Sequence, residues 1–318
     1  MFLKNIRNTL LIARIPQWSK NIFVLPGFFL ALSLENNLNY TFFFDLIIAL
    51  FAIGLLSSAN YTINEIFDRK YDLNHPLKKD RVLVKNEVAL IYPILQYIIF
   101  IIIGLYIASK FNPVFFFTSI IFLIFALIYN IPPLRVKDIQ YVDVLTEAIN
   151  NPIRLILGWS VISSIIIPPL SLVVSYWFCG CFLMSMKRLA EYNYINDKAK
   201  ASAYRKSFSY YNETNLITFS FFCALVSMFF LAIFTVKYFI QLILAFPLIC
   251  ILFIWYTNFA LKVKFDKKKY ENIFLNYKFL FFCFCVGILI VTLFFFEFKF
   301  LKFLVDHKFY HDFKLHWY

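Results

Sequence analysis

The chain consists of long apolar stretches, each about the length of a membrane span, and most polar residues lie between these stretches. A helix needs about 20 mainly apolar residues to cross the hydrocarbon core of a bilayer. The apolar stretches lie at residues 22–34, 41–63, 88–109, 113–131, 142–163, 168–186, 214–236, 238–260 and 278–298. We therefore expect an all-α integral membrane protein with about nine transmembrane helices, of which the first is short and the fifth carries charges.

Composition narrows the class of protein further. Hydrophobic residues make up 62% of the 318 positions and charged residues 15%, whereas soluble domains have about 45–50% apolar and about 25% charged residues. These values exclude an ordinary soluble enzyme, a disordered chain and a secreted disulfide scaffold. The net charge of +13 is typical of a membrane protein, whose cytoplasmic loops are rich in Lys and Arg. We therefore expect membrane lipids as neighbours and no nucleic-acid partner.

The distribution of Lys and Arg predicts the orientation in the membrane. Of the 31 such residues, 24 lie in the N-terminal segment and in the connections after the second, fourth, sixth and eighth spans, and six lie on the opposite side. Because Lys and Arg are enriched in cytoplasmic loops, we expect an inner or plasma membrane protein with a cytoplasmic N-terminus and active site. Residues 1–298 would form one transmembrane catalytic domain, followed by a C-terminal tail at 299–318.

Polar residues at the end of the second span have the spacing of a helical face. Asn64, Asp68 and Asp72 are four residues apart, so their side chains share one side of a helix. Carboxylate and amide oxygens, completed by water and substrate phosphates, suit Mg²⁺. The alternative is a solvated helix end, although clustered carboxylates repel one another without a cation. Lys78 and Arg81 follow closely and are either ligands of the same anion or ordinary cytoplasmic charges.

The fifth span carries four polar residues at helical spacing: Asp143, Glu147, Asn150 and Arg154. Ionisable residues within a membrane helix are costly and usually face a cavity in the interior of the protein. The pattern therefore predicts a cavity-lining stripe. The alternative is a buried network, between Glu147 and Arg154 or between Asp143 and Glu147, that only holds helices together.

Basic residues end the sixth span. Lys187 and Arg188 are adjacent, and such a pair at a membrane boundary suits a phosphate, to which Arg offers a planar fork of donors. Lys187 and Glu191 are also four residues apart and could simply pair with each other. Arg205 and Tyr211 follow in the next connection.

The N-terminal segment carries Arg14, Trp18 and Lys20 close to the first apolar stretch. Trp18 has the character of an anchor at the membrane interface. Arg14 and Lys20 either belong to the surface or reach the pocket formed by the other polar groups, and the spacing alone leaves both possibilities open.

These residues carry a family resemblance. Asn64-Glu65-x-x-Asp68-x-x-x-Asp72 resembles the NDxxDxxxD motif of the UbiA superfamily of membrane prenyltransferases, with Glu65 in place of the usual Asp. Within the superfamily, the chain is most similar to the decaprenyl-phosphate phosphoribosyltransferase branch. The segments that carry this likeness are 14–21, 72–82 and 187–191, followed by Arg205 and Tyr211. Two further departures are Ile15, which separates Arg14 from Pro16, and Val82, which replaces a proline.

The resemblance implies a UbiA-like bundle and a Mg²⁺-dependent transferase. The donor would be phosphoribosyl pyrophosphate, with Asn64, Asp68 and Asp72 as metal ligands and the two aspartates as catalytic residues. The acceptor would be a polyprenyl phosphate, and its product would enter cell-envelope glycan synthesis. The residues expected to bind substrate are Arg14, Lys20, Lys78, Arg81, Asp143, Glu147, Arg154, Lys187, Arg188, Glu191, Arg205 and Tyr211.

Two alternatives remain at this stage. The first is a UbiA-type prenyltransferase that moves a prenyl group from an allylic diphosphate to an aromatic or quinone-precursor acceptor. In that case Asp143 and Glu147 would stand in for a second acidic motif, because Lys187 and Arg188 occupy its usual place. The second is a lipid transporter or flippase. Discontinuous helices and a site near the bilayer midplane would favour this alternative.

Overall fold

Helices of membrane-spanning length dominate the computed structural model, which describes residues 2–35, 39–164, 167–266, 276–296, 298, 300 and 301. Seven apolar helices are long enough to cross a bilayer. They are α3 (Thr41–Asp72), α4 (Ile91–Ala108), α5 (Pro113–Asn130), α8 (Leu170–Ile195), α10 (Glu213–Tyr238), α11 (Phe246–Asp266) and α12 (Tyr277–Phe295). The described residues contain no β-strand, so the expected all-α class is confirmed. Residues 299 and 302–318 of the expected tail lie outside the described ranges.

The first and fifth of the nine expected spans are broken segments. A 3₁₀ helix, Ile15–Val24, leads into the short α2 (Leu25–Ser33), and α6 (Val142–Ala148) leads into α7 (Asn150–Ile162). Pro152 has no N–H with which to reach the carbonyl of Ala148, four residues earlier, so α6 ends there. The expected number of about nine spans therefore corresponds to seven long helices and two broken segments in the described part of the chain.

Two shorter helices accompany the spans, one at the N-terminus and one in the connection between α8 and α10. They are α1 (Phe2–Ile12) and α9 (Lys198–Tyr204). The helices of the bundle turn large apolar side chains outward, as at Ile102, Phe221 and Phe281, which are 63%, 64% and 68% exposed. Such an exterior is expected where lipid rather than water is the solvent. Charged residues instead collect near the C-terminal ends of α3 and α8, and this arrangement positions the site.

Glycine allows the two broken segments to cross at close range. A Cβ atom added to Gly27 would lie 2.0 Å from the carbonyl oxygen of Leu155, and one added to Gly158 would lie 2.0 Å from that of Val24. Only glycine is compatible with backbones this close. The crossing therefore brings the 3₁₀ helix against α7, and with it the buried polar side chains that each carries.

Candidate active site

The acidic motif occupies the last two turns of α3. Asp68 and Asp72 are buried, at 8% and 1% exposure, and their spacing places them on one side of the helix. Asn64, one turn earlier, donates from Nδ2 to Oδ1 of Asn130 at 2.7 Å. The end of α5 thus closes the motif from one side.

Asp68 is held by two basic residues from the connection after α5. Lys137 Nζ and Arg135 Nη2 lie 2.5 Å and 2.9 Å from Asp68 Oδ1. Lys137 also donates to Asn130 Oδ1 at 2.7 Å. Burial lowers the pKa of Lys137 to about 8, although the nearby Asp68 opposes this effect. The carboxylate, the amide and the two cations therefore form one charged cluster.

Sequence reasoning did not place Arg135 and Lys137 in the site, because it counted them only as charges that set the orientation. The signal that could have found them is the run Pro132-Pro133-Leu134-Arg135-Val136-Lys137 directly after the fourth span. In the structure, the turn that follows the prolines directs both basic side chains at Asp68, near the end of α3.

Asp72 combines an ion pair with a free oxygen. Its Oδ2 accepts from Arg81 Nη1 at 2.5 Å, whereas its Oδ1 is buried and has no hydrogen-bond partner within the part of the chain that the structure describes. Buried polar atoms are normally satisfied, so an orphaned carboxylate oxygen points to a ligand. Asp68, Asp72 and Asn64 offer the oxygen donors that Mg²⁺ uses, with substrate phosphates and water completing the shell. The residues present therefore fit this metal.

Glu191, near the end of α8, is neutralised by several donors. Lys78 Nζ contacts its Oε1 closely, and Tyr204 OH donates to the same oxygen at 3.1 Å. His75 Nε2 lies 3.4 Å from that oxygen, and Arg188 Nη1 lies 3.2 Å from Oε2. Glu191 is thus bound by two other segments and by Arg188 of its own helix, rather than by Lys187.

Arg188 joins three carboxylates that belong to two helices, α6 and α8. Besides Glu191, it contacts Asp143 Oδ2 from Nε at 3.3 Å and Glu147 Oε2 from Nη2. The hydroxyl of Tyr129, at the end of α5, lies 3.1 Å from Nη2. With four polar partners and 2% exposure, Arg188 has little capacity left for a substrate.

Asp143 is saturated by donors from the connection after α8. Tyr211 OH donates to Oδ1 at 2.6 Å. Arg205 Nη1 and Ser207 Oγ lie 3.6 Å and 3.4 Å from Oδ2. The side chain is fully buried. Asp143 therefore orders this connection around Arg188 rather than facing an open cavity.

The N-terminal basic residues reach the bundle. Arg14 Nη2 binds Glu65 Oε2 at 2.6 Å. Arg14 and Lys20 both lie over the ring of Tyr61, with centroid distances of 5.9 Å and 5.6 Å. Of the two possibilities left open by the spacing, the structure shows contact with α3.

Arg154 and Lys187 differ from the other basic residues of the site. Arg154 binds Asn21 Oδ1 from Nε at 3.2 Å and the carbonyl oxygen of Asn150 from Nη1 at 3.2 Å. Neither Arg154 nor Lys187 forms an ion pair with an acidic residue of the described ranges. The alternative pairs Glu147–Arg154 and Lys187–Glu191 are therefore absent there, and the polar stripe of the fifth span divides into two clusters at the break between α6 and α7.

The charges of the site do not balance. Ten basic residues and seven carboxylates gather there, which leaves an excess of three positive charges. The basic residues are Arg14, Lys20, Lys78, Arg81, Arg135, Lys137, Arg154, Lys187, Arg188 and Arg205, and the acidic ones are Glu65, Asp68, Asp72, Asp138, Asp143, Glu147 and Glu191. Such an excess in a region of low dielectric favours polyanionic substrates.

This helical bundle, with an acidic helix end facing basic residues, has known relatives. Residues 21–284 match the model of the UbiA prenyltransferase family, and the chain belongs to this family. Membership indicates a transferase, and together with the seven apolar helices it indicates a multi-pass integral membrane protein.

Solved structures show the same fold. A UbiA homolog from Archaeoglobus fulgidus bound to GPP and Mg²⁺ has a TM-score of 0.69 at 19% identity, over 91% of this chain and 98% of that one. A structure of a UbiA homolog from the same organism, bound to DMAPP and Mg²⁺, has a TM-score of 0.68, also at 19% identity, over 89% of this chain and 97% of that one. A structure described as digeranylgeranylglyceryl phosphate synthase gives 0.60 at 14% identity, over 92% and 97%.

One curated relative is similar over part of the chain. The uncharacterized protein y4nM of Sinorhizobium fredii (strain NBRC 101917 / NGR234) is 26% identical over 148 residues, which is 46% of this chain. The match covers 27% of the relative's own length.

Proposed function

We propose that this protein transfers a 5-phosphoribosyl group from phosphoribosyl pyrophosphate to a polyprenyl phosphate, for the assembly of cell-envelope glycans. The observation that carries the proposal is the chemistry at the end of α8. Its one carboxylate there, Glu191, is already bound by Lys78 and Arg188. A second metal ion would therefore have no free ligand at this helix end, which speaks against a donor held by two acidic motifs.

The donor pyrophosphate is assigned to the acidic end of α3. A Mg²⁺ ion bound by Asn64, Asp68 and Asp72 would neutralise charge that develops on the leaving pyrophosphate. Arg81, Arg135 and Lys137 already contact these aspartates and would supply further positive charge to the same oxygens. Glu147 is assigned to the ribose hydroxyls because only its Oε2 is engaged, by Tyr129 and Arg188.

The transfer needs little proton chemistry. An oxygen of the acceptor phosphate would form a bond to the anomeric carbon of the ribose while the bond from that carbon to pyrophosphate breaks. Because a phosphate monoester is already ionised near neutral pH, no strong general base is required. Asp143 acts as a positioning residue, since its oxygens are committed to Arg188, Arg205, Ser207 and Tyr211.

The orientation is part of the proposal. The excess of basic residues at one end of the bundle supports a cytoplasmic active site in the inner or plasma membrane. A water-soluble donor such as phosphoribosyl pyrophosphate would reach the site from that side.

A second candidate is prenyl transfer from an allylic diphosphate to an aromatic acceptor. The A. fulgidus homolog bound to GPP or DMAPP with Mg²⁺ favours it. A lipid transporter is less favoured. The two broken segments fit it, but the charged side chains gather near the ends of α3 and α8, and the family is one of transferases.

Transfer from labelled donor to lipid tests the proposal. Purified protein in lipid vesicles would receive labelled phosphoribosyl pyrophosphate, a polyprenyl phosphate and Mg²⁺. We expect label in the lipid phase and a loss of about 100-fold or more in Asp68→Asn. The matched Asp80→Asn should keep full activity, since Asp80 is exposed and, among the described residues, forms an ion pair only with Lys85. Transfer from GPP to an aromatic acceptor, with none from phosphoribosyl pyrophosphate, would replace the first candidate by the second.

A further inference from the structure

Arg154 is a buried cation without a carboxylate partner. It is 6% exposed, and its guanidinium lies over the ring of Phe122 at 5.1 Å. No acidic residue of the described ranges lies within 4 Å of it. An uncompensated charge is costly inside a membrane protein, so an anion at this position would be strongly favoured.

Asn21 supplies a second, independent sign of a missing ligand. Its Oδ1 accepts from Arg154 Nε at 3.2 Å, but its Nδ2 has no hydrogen-bond partner within the described ranges although the residue is only 4% exposed. An amide donor next to an unpaired guanidinium is a suitable pair of ligands for a phosphate group. The close crossing at Gly27 and Gly158 is what holds the two side chains together.

The same asparagine lines an apolar groove of about 370 Å³ between the 3₁₀ helix and α3. The other residues that line this groove are Trp18, Ser19, Ile22, Leu25, Leu50 and Phe51. Ile22 and Phe51 are 62% and 48% exposed, so the groove opens on the apolar outer surface of the bundle. An apolar chain from the bilayer could therefore lie in the groove with a polar end at Asn21.

The groove is a built feature rather than a gap between loosely packed helices. The indole nitrogen of Trp18 donates to Ser58 Oγ at 2.8 Å, which fixes the ring against α3. A Cβ atom on Gly54 would lie 2.7 Å from that ring, so the absence of a side chain at Gly54 makes room for the indole.

We propose that Arg154 and Asn21 bind the phosphate monoester of a polyprenyl phosphate while its isoprenoid chain lies in this groove. The assignment rests on the proposed function and moves the acceptor phosphate away from Arg188, whose donors are committed to carboxylates and to Tyr129. The 5-phosphate of the donor is also a phosphate monoester. The lipid is favoured because Asn21 belongs both to the anion site and to the apolar groove.

Binding of farnesyl phosphate to the purified full chain tests this proposal without requiring turnover. Asn21→Asp places a carboxylate beside Arg154, so the new pair preserves the fold and removes the attraction for an anion. We expect it to weaken binding of farnesyl phosphate by about tenfold or more and to leave the affinity for phosphoribosyl pyrophosphate with Mg²⁺ unchanged. Arg154→Met should have the same effect. Farnesol and inorganic phosphate should each bind more weakly than farnesyl phosphate to the wild-type protein.

A matched pair of substitutions tests the groove. Ile22→Trp fills the groove and should weaken farnesyl phosphate binding, whereas Ile102→Trp, on α4 at nearly the same exposure of 63%, should not. This pair keeps the proposal testable if the substitutions at Asn21 and Arg154 prevent folding.

The possible results separate this proposal from the proposed function. Unchanged farnesyl phosphate affinity in Asn21→Asp, or in Ile22→Trp, would overturn the acceptor site even if transfer from phosphoribosyl pyrophosphate is observed. A selective loss of donor affinity in Asn21→Asp would assign the site to the donor's 5-phosphate and would also overturn it. Weaker farnesyl phosphate binding in these variants, together with no phosphoribosyl transfer by the wild-type protein, would support the lipid site and reject the proposed donor.

Discussion

Lys137 forms a buried ion pair with Asp68, one of the three residues assigned to Mg²⁺. Its Nζ lies 2.5 Å from Asp68 Oδ1, and both residues are buried. Because Arg135 binds the same oxygen, two positive charges oppose a divalent cation there. A phosphate-bearing substrate would offer Lys137 and Arg135 another anion and release the carboxylate.

Binding of Mg²⁺ is therefore expected to depend on the donor. Mg²⁺ alone should raise the thermal unfolding temperature little, whereas Mg²⁺ with phosphoribosyl pyrophosphate should raise it clearly. In Lys137→Met, Mg²⁺ alone should bind more tightly, because one competing charge is gone. Calorimetric titration with and without donor measures both effects. Tight Mg²⁺ binding to the free wild-type protein would contradict this expectation, and Lys79→Met, which changes an exposed lysine, is the control.

The sequence was sufficient for the helical class and for the face shared by Asp68 and Asp72, because both depend on local periodicity. It could not show that Arg135 and Lys137 fold onto Asp68, since that contact joins residues 67 and 69 positions apart. The break between α6 and α7 depends on Pro152 and on the crossing with α2. A hydropathy profile detects neither of these features. That Arg154 has no carboxylate partner among the described residues likewise becomes visible only in the folded structure.

Removal of Arg188 is expected to destabilise the protein strongly. Arg188→Met would leave Asp143, Glu147 and Glu191 with less positive charge in a buried site, and breaking a buried ion pair in this way costs about 3–5 kcal/mol. Thermal unfolding in detergent measures the change, with Lys79→Met as a control of the same product residue. The double variant Arg188→Met/Glu147→Gln should recover part of the loss, and no recovery would speak against Arg188 as the residue that neutralises Glu147.

Two departures from the family motifs meet in one ion pair. Ile15 separates Arg14 from Pro16, and Glu65 replaces the usual Asp, yet Arg14 and Glu65 lie 2.6 Å apart. The side chain of Glu65 is one methylene longer than that of aspartate, and its Oε2 is the atom that contacts Arg14. Glu65→Asp should therefore weaken the contact although it restores the residue of the motif.

A double-mutant cycle measures this pair. The unfolding free energies of Arg14→Met, Glu65→Gln and the double variant should give a coupling of about 1–2 kcal/mol. The coupling should be smaller in a second cycle that starts from the Glu65→Asp variant. A coupling near zero in the wild-type background would show that the two departures are independent.

The crossing of α2 and α7 is expected to tolerate no side chain at its glycines. In Gly158→Ala the new Cβ would lie 2.0 Å from the carbonyl oxygen of Val24, and because that oxygen belongs to the backbone the helices must separate. Overpacking of this kind costs about 1–3 kcal/mol or more. The matched control is Gly287→Ala in α12, where an added Cβ meets no heavy atom of the described residues within 4 Å. That substitution should stabilise the helix by about 0.5–1 kcal/mol. Unfolding curves of the two variants in the same detergent should shift in opposite directions.

Since the crossing also holds Asn21 against Arg154, Gly158→Ala should weaken farnesyl phosphate binding while Gly287→Ala leaves it unchanged. Equal stability of the two variants would mean that the backbones are not packed this closely.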